Sequence, residues 1–253
     1  MPQTVACATL VTHPMRFVVN ELRGGERLCR YHLRDSQRTF CIHHGTADLG
    51  VLDEIFRLQY YALPAPVAAS LDRRRELRVL DLGAHIGLFG LWILQHAPGA
   101  RIVAFEPDAL NLRALRCTVR DNALGDGWRI VPAAAATRAA SLRFEGGRFS
   151  GSRVVEDAYS APGRTVPALD VFAHLDGVDL LKMDMEGGEW EVLEDPRFGW
   201  ARPPVIVLEY HPHLCPVPDA RVHVEGILTR HGYVLDEIFA STSGVGMLWA
   251  RLP

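Results

Sequence analysis

From Leu77 onward the chain alternates short apolar runs with helical segments, and this rhythm narrows the possible folds more than any other feature. Residues 78–82 (RVLDL), 101–105 (RIVAF), 128–131 (WRIV), 179–183 (DLLKM) and 205–209 (VIVLE) read as strands. Helices are expected from the glycine loop after Leu82 through Leu94, from Pro107-Asp108 to about Asn122, and from about Ala220 to His231, with a terminal hairpin at 233–239 and 246–250. Buried strands separated by helices predict an α/β fold, a doubly wound and mostly parallel sheet covered on both faces. Ligands bind such sheets beyond the carboxyl ends of the strands, near the topological switch point. Four strand ends are acidic here: Asp81, Glu106, Asp184 and Glu209.

Residues 1–75 read as an extension ahead of this domain, which occupies 76–253. Phe17-Val18-Val19, Leu28 to Leu33 and Phe40 to Ile42 are expected as short antiparallel strands, broken by Gly24-Gly25 and by the polar stretch Arg34 to Arg38. Asp48 is expected to cap a helix in which Leu52, Ile55, Phe56 and Gln59-Tyr60 keep helical spacing until Pro64. No internal repeat interrupts the chain.

Over 253 residues the formal net charge is −3, which gives no field to attract nucleic acid or anionic lipid. The basic cluster Arg73-Arg74-Arg75 reads as a solvated helix face. No apolar run approaches the roughly 20 residues of a membrane span, and no leader pattern opens the chain. The expectation is a cytoplasmic protein acting on a small molecule, with a homodimer as the possible assembly. The five cysteines form no CxxC pair, so reduced thiols are expected. Cys29, His32, Cys41, His43 and His44 lack paired ligand turns and read as strand residues rather than a zinc site.

The loop after the first strand runs Asp81-Leu82-Gly83-Ala84-His85-Ile86-Gly87. Gly83 permits a sharp turn, and Gly87 is expected to let the next helix begin close to a ligand. Glu106, followed by Pro107 at the end of the next strand, is placed to accept hydrogen bonds from ribose hydroxyls. The dinucleotide fingerprint GxGxxG is absent, which speaks against a nucleotide-linked dehydrogenase. An acid at 81 would repel a pyrophosphate but suits a cationic amino-acid group, which favours S-adenosyl-L-methionine as cofactor.

Val79 to Phe89 (VLDLGAHIGLF), Ala104 to Pro107 (AFEP) with Asn111 and Asn122, and Leu180 to Trp190 (LLKMDMEGGEW) together resemble the FkbM family of methyltransferases. The resemblance covers roughly residues 45–210. It implies the class I methyltransferase fold, a Rossmann-like seven-stranded sheet with one antiparallel strand at the edge. It also implies that the methionine portion of the cofactor binds around Asp81, Gly83 and Gly87 and the ribose at Glu106, with Ala84, His85 and Pro107 expected as further cofactor-binding residues. Where the family usually carries Asn in this loop, the chain has His85. The activity most often implied is O-methylation of a hydroxyl in natural product biosynthesis.

For such a reaction the protein must align the acceptor and take its proton. Asp184 and Glu186 are expected to serve as base or orienting groups, with Glu189 at a helix start and His211 as a further candidate base. Lys182 is expected to pair with one of these acids. A metal held by Asp184, Glu186 and His211 is not diagnosed by the spacing, and none is expected. Glu209, Tyr60 and Tyr61 are expected at the acceptor, the tyrosines from a helix covering the cofactor. A ring of Asp184, Glu186, Glu189 and Glu209 would equally suit a cationic amine, so N-methylation stands as the alternative, ahead of a non-catalytic binding role.

Overall fold

The computed structural model describes residues 1–72, 76–145, 153–155, 164–240 and 245–253; the Arg73-Arg74-Arg75 cluster lies outside them. Its centre is a seven-stranded sheet of β3 (Arg78–Leu82), β4 (Arg101–Phe105), β5 (Trp128–Val131), β10 (Leu180–Met183), β11 (Val205–Tyr210), β12 (Val234–Ala240) and β13 (Gly246–Arg251). The remaining strand numbers belong to two smaller sheets. The order β12-β13-β11-β10-β3-β4-β5 puts the first strand of the domain in the interior, with the chain winding outward on either side. All pairings between β11 and β5 are parallel, and β13 runs antiparallel to both its neighbours, one place in from the edge. The helices expected from sequence are α5 (Leu88–His96), α6 (Ala109–Asp121) and α9 (Ala220–Arg230).

Side chains alternate across a strand, and the core divides accordingly. Val79, Ile102, Ala104, Leu180, Val205, Val207 and Trp249 join α5 and α6 in one apolar core. Leu80, Leu82, Phe105, Leu181, Met183, Ile206 and Leu208 form another on the opposite face, with Trp190, Phe198 and Leu228. The same parity sends Asp81, Glu106, Lys182, Asp184 and Glu209 toward the first face. The polar residues at the strand ends therefore gather on one side.

That side is covered by the N-terminal segment, and here the structure corrects the sequence reading. Phe17-Val18-Val19 is no strand but lies in the helix α2 (Pro14–Arg23), which follows α1 (Pro2–Ala8). Proline at the first helical position and Gly24 just past the end are strong start and stop signals, and they outweigh the local β-branched pair. The strands β1 (Arg27–His32) and β2 (Thr39–His44) do form an antiparallel hairpin. Asp48 does not cap: it is the first residue of α3 (Asp48–Leu52), preceded by Ala47. A π turn over Asp53–Arg57 continues it, and Gln59 leaves it with a left-handed backbone, so Tyr60 and Tyr61 lie beyond the helix. A further helix, α4 (Ala65–Asp72), leads to the sheet.

The hairpin is fastened to α6. Asn122 accepts from the backbone N–H of Thr39 (2.9 Å) and donates to its carbonyl (2.6 Å), as a neighbouring strand would. Thr118 Oγ1 accepts from the Cys41 N–H at 3.1 Å. Cys41 and Cys117 are joined as a disulfide, which corrects the expectation of reduced thiols for this pair; Cys7, Cys29 and Cys215 are free. The spacing of 76 residues gave no hint of this pairing, because the contact exists only once the hairpin packs on α6. A four-stranded sheet was also missed: β6 (Ala134–Ala136), β7 (Ala140–Glu145), β8 (Arg153–Val155) and β9 (Arg164–Asp170). Three short helices, Val171–His174 and then α7 (Glu189–Glu194) and α8 (Phe198–Ala201), complete the described elements on the way to β11. Among the described residues, no helix is long and apolar enough to cross a membrane.

Candidate active site

Between the strand ends and the N-terminal cover lies a cavity of about 500 Å³, within the size range of small-molecule sites. Its floor is the loop Gly83-Ala84-His85. Gly83 has a left-handed φ of 82°, and a Cβ there would collide with the Asp184 carbonyl, so no side chain can replace it without parting β3 from β10. One wall holds Glu106, Pro107 and Asn111; another holds Lys182, Asp184, Glu186 and Glu209; the cover contributes Glu54 and Tyr61.

Glu106 is buried and fixed from both sides. One carboxylate oxygen accepts from the His85 N–H at 2.8 Å, the other from the Asp108 N–H at 2.8 Å and from Asn111 Nδ2 at 3.4 Å. Burial pushes its pKa up to about 7, against the opposing pull of His85 and the backbone donors. Asn111 is also buried, and its Oδ1 has no hydrogen-bond partner. A buried acceptor on a cavity wall with nothing to accept fits a ligand that brings a donor.

Lys182 organises the centre. In register beside Asp81, it donates to the Gly83 carbonyl at 2.5 Å and places its Nζ 3.3 Å from Asp81 and 3.4 Å from Asp184. Burial alone would depress the lysine pKa, but the charges of Asp81 and Asp184 outweigh it and raise it. This pairing was expected. Its consequence for Asp81 was not: that carboxylate is fully buried beside the ammonium and is not among the residues lining the cavity.

Gly87 also differs from expectation. It is off the wall, and with φ at 88° a Cβ there would meet Leu115, so its role is to pack α5 against α6. Glu189 and His211 stand behind the site. Glu189 accepts from the Gly187 N–H (2.8 Å), the His211 N–H (2.8 Å) and His211 Nδ1 (2.9 Å), while His211 Nε2 lies 3.4 Å from Glu186. Burial opposes a charge on His211, yet the hydrogen bond and charge of Glu189 raise its pKa to about 10. That shift favours the imidazolium over the free base expected from its ordinary pKa. Tyr60 is off the wall, whereas Tyr61 lines it and packs on Phe89, with ring centroids 5.1 Å apart.

Asp184, Glu186 and His211 each bring one ligand atom within 4.8 Å of the others. Lys182 Nζ lies 3.4 Å from Asp184, and His211 Nε2 lies 3.4 Å from Glu186, so these groups also pair with one another. Glu209 faces the cavity, and burial together with Asp184 pushes its pKa up to about 8. Glu54, Asn111 and Lys182 are wall residues that the sequence reading had not placed there. Lys182 and Asn111 were legible from strand and helix position; Glu54 depends on how the cover folds back.

The Methyltransferase FkbM domain model matches residues 81–235, more than half of the chain and all of the strand-end motifs. The crystal structure of methyltransferase FkbM from Methylobacillus flagellatus KT superposes with a TM-score of 0.51 at 15% identity, covering 99% of this chain and 58% of that one. A 41-residue stretch is 56% identical to the AMB antimetabolite synthetase AmbE of Pseudomonas aeruginosa, covering 16% of this chain and 2% of that protein. The chain thus spans less than two thirds of either relative. The match spans the glycine turn and the four acidic strand ends, and the chain belongs to the FkbM methyltransferase domain family, with the α/β fold of that structural relative.

Proposed function

We propose that the cavity binds S-adenosyl-L-methionine and that the enzyme methylates a hydroxyl of a small molecule in secondary metabolism. The carrying observation is the ligand-facing pair of Glu106 and Asn111, a buried carboxylate and an unpartnered buried amide oxygen beside the Gly83 turn. Both are acceptors, which suits ribose hydroxyls. Glu186, on the opposite wall, suits a cationic donor group, and the size of the cavity is in keeping with a nucleoside-sized ligand. When bound there, the cofactor supplies an electrophilic methyl group. Asp184, on the wall beside Gly83, is the group to accept the acceptor's proton, with Lys182 holding its carboxylate in place. The short match to an antimetabolite synthetase supports natural-product chemistry.

A second reading, N-methylation, rests on a specific feature. Glu54, Asp184, Glu186 and Glu209 all line the cavity, and such a group of acids favours a cationic amine. The test is calorimetric titration with S-adenosylhomocysteine, followed by labelled transfer to a panel of hydroxylated and amino metabolites. Glu106→Ala should weaken the calorimetric affinity by about 1–3 kcal/mol through loss of charged hydrogen bonds. An unchanged affinity removes the ribose assignment, and label appearing on amines alone decides for N-methylation.

A further inference from the structure

Behind the cofactor loop lies a buried chain of polar groups that the reaction just described does not use. Asp48 is fully buried at the start of α3. Its Oδ2 accepts from the His43 N–H at 2.9 Å and lies 3.0 Å from His43 Nδ1. Its Oδ1 lies 3.1 Å from Nε2 of His85. His85 is held at its backbone by Glu106 and adopts a left-handed φ of 52°, so both ends of the residue are fixed. It lines the cavity; both ring nitrogens are buried without an aligned hydrogen bond, Nε2 being held by the ion-pair contact to Asp48 while Nδ1 has no such contact.

We propose that Asp48 positions His85 as a double donor whose free Nδ1–H binds the α-carboxylate of the methyl donor's amino-acid portion. This rests on the cavity being the S-adenosylmethionine site. Three observations lead to it. A carboxylate with no access to water needs positive partners, and with Nε2 committed to Asp48 an imidazolium has only Nδ1 left to donate. The charged groups that face His85 are Asp48 and Glu54 from the cover, Glu106 from the end of β4 and Asp184 from the end of β10, all acids. Although burial disfavours its charge, the bond to Asp48 and these acids raise the His85 pKa, while Asp48 is held well below the usual carboxylate range.

The last observation concerns the alternatives. Among the described residues lining the cavity, the cationic side chains are His85 and Lys182, and the lysine is already engaged by Gly83, Asp81 and Asp184. An anionic group entering this acid-lined space finds its charged donor at His85.

The experiment compares S-adenosylmethionine with its decarboxylated form, which keeps the sulfonium and the amine but lacks the carboxylate. Affinities are measured by calorimetry on the full chain. The wild type should prefer the carboxylated ligand, and His85→Ala should narrow that preference by about tenfold, the scale of one charge-assisted hydrogen bond. His85→Asn, a residue at ease in left-handed backbone, should narrow it likewise while preserving the turn. Asp48→Asn should reproduce the narrowing through His85, a ligand-selective effect that a merely structural role would not give. A preference kept in both His85 variants overturns the proposal, as does equal weakening of both ligands. Failure of either ligand to bind the wild type would instead remove the cofactor assignment itself.

Discussion

At the scale of single residues, the site is a set of carboxylates whose surroundings give each a different task. Asp184 stands on the wall 3.4 Å from the Lys182 ammonium, and its role as base is the proposal to test. Asp184→Asn is expected to retain cofactor affinity and lose most turnover; wild-type rates in a labelled-methyl assay would take Asp184 out of the mechanism. Burial and the charge of Asp184 raise the Glu209 pKa to about 8. An acid whose folded pKa is raised binds more protons folded than unfolded, so its contribution to stability falls as pH rises from the ordinary glutamate range toward that value. Glu209→Gln removes this loss. Its melting temperature relative to wild type should increase between about pH 5 and pH 9, a window that brackets both pKa values. A difference that stays flat across that window would contradict the burial argument. His211 shows the same physics reversed, since its buried Glu189 partner raises the imidazole pKa and favours its charged form.

At the scale of elements, the β1–β2 hairpin and α6 act as one unit through Asn122, Thr118 and the Cys41–Cys117 bond. Thiol titration of the denatured, unreduced protein should find Cys7, Cys29 and Cys215 reactive, and two more cysteines only after reduction. Five reactive thiols before reduction would show that the pair is open. The strands of the central sheet were legible because each is a short apolar run bounded by a helix signal, and α6 because Asp108 caps it through the N–H groups of Leu110 and Asn111. The helix at Phe17 was misread because its β-branched neighbours argued locally for a strand, while its amphipathic face acquires meaning only against the hairpin. The second sheet was missed for a related reason. β6 is three alanines that pair with β9, and a run of alanines carries no strand signal of its own.

For the whole molecule, the N-terminal segment and the sheet share one apolar core. Cys7, Phe17, Phe40, Ile42 and Leu52 belong to the same cluster as Leu115, Val119 and Val207. Removing residues 1–44 would strip that face and open the cavity. The truncated chain is expected to lose cooperative thermal unfolding and to aggregate on size-exclusion chromatography. A monomer with a sharp transition would show instead that the cover is a separate unit.

By itself the sequence determined the α/β class, the order of the strands along the chain, the glycine turn and the acidic strand ends, because these follow from local periodicity and from what a backbone without Cβ permits. Strand parity even places Asp81, Glu106, Lys182, Asp184 and Glu209 on one face. Only the tertiary structure decided which of them reach the cavity. Lys182 covers Asp81, Glu189 captures His211, and Asp48 meets His85 across the cover. Each of those outcomes is a contact between residues distant in sequence, and burial then fixes the charge of the partners; neither the contact nor its dielectric setting is written in local pattern.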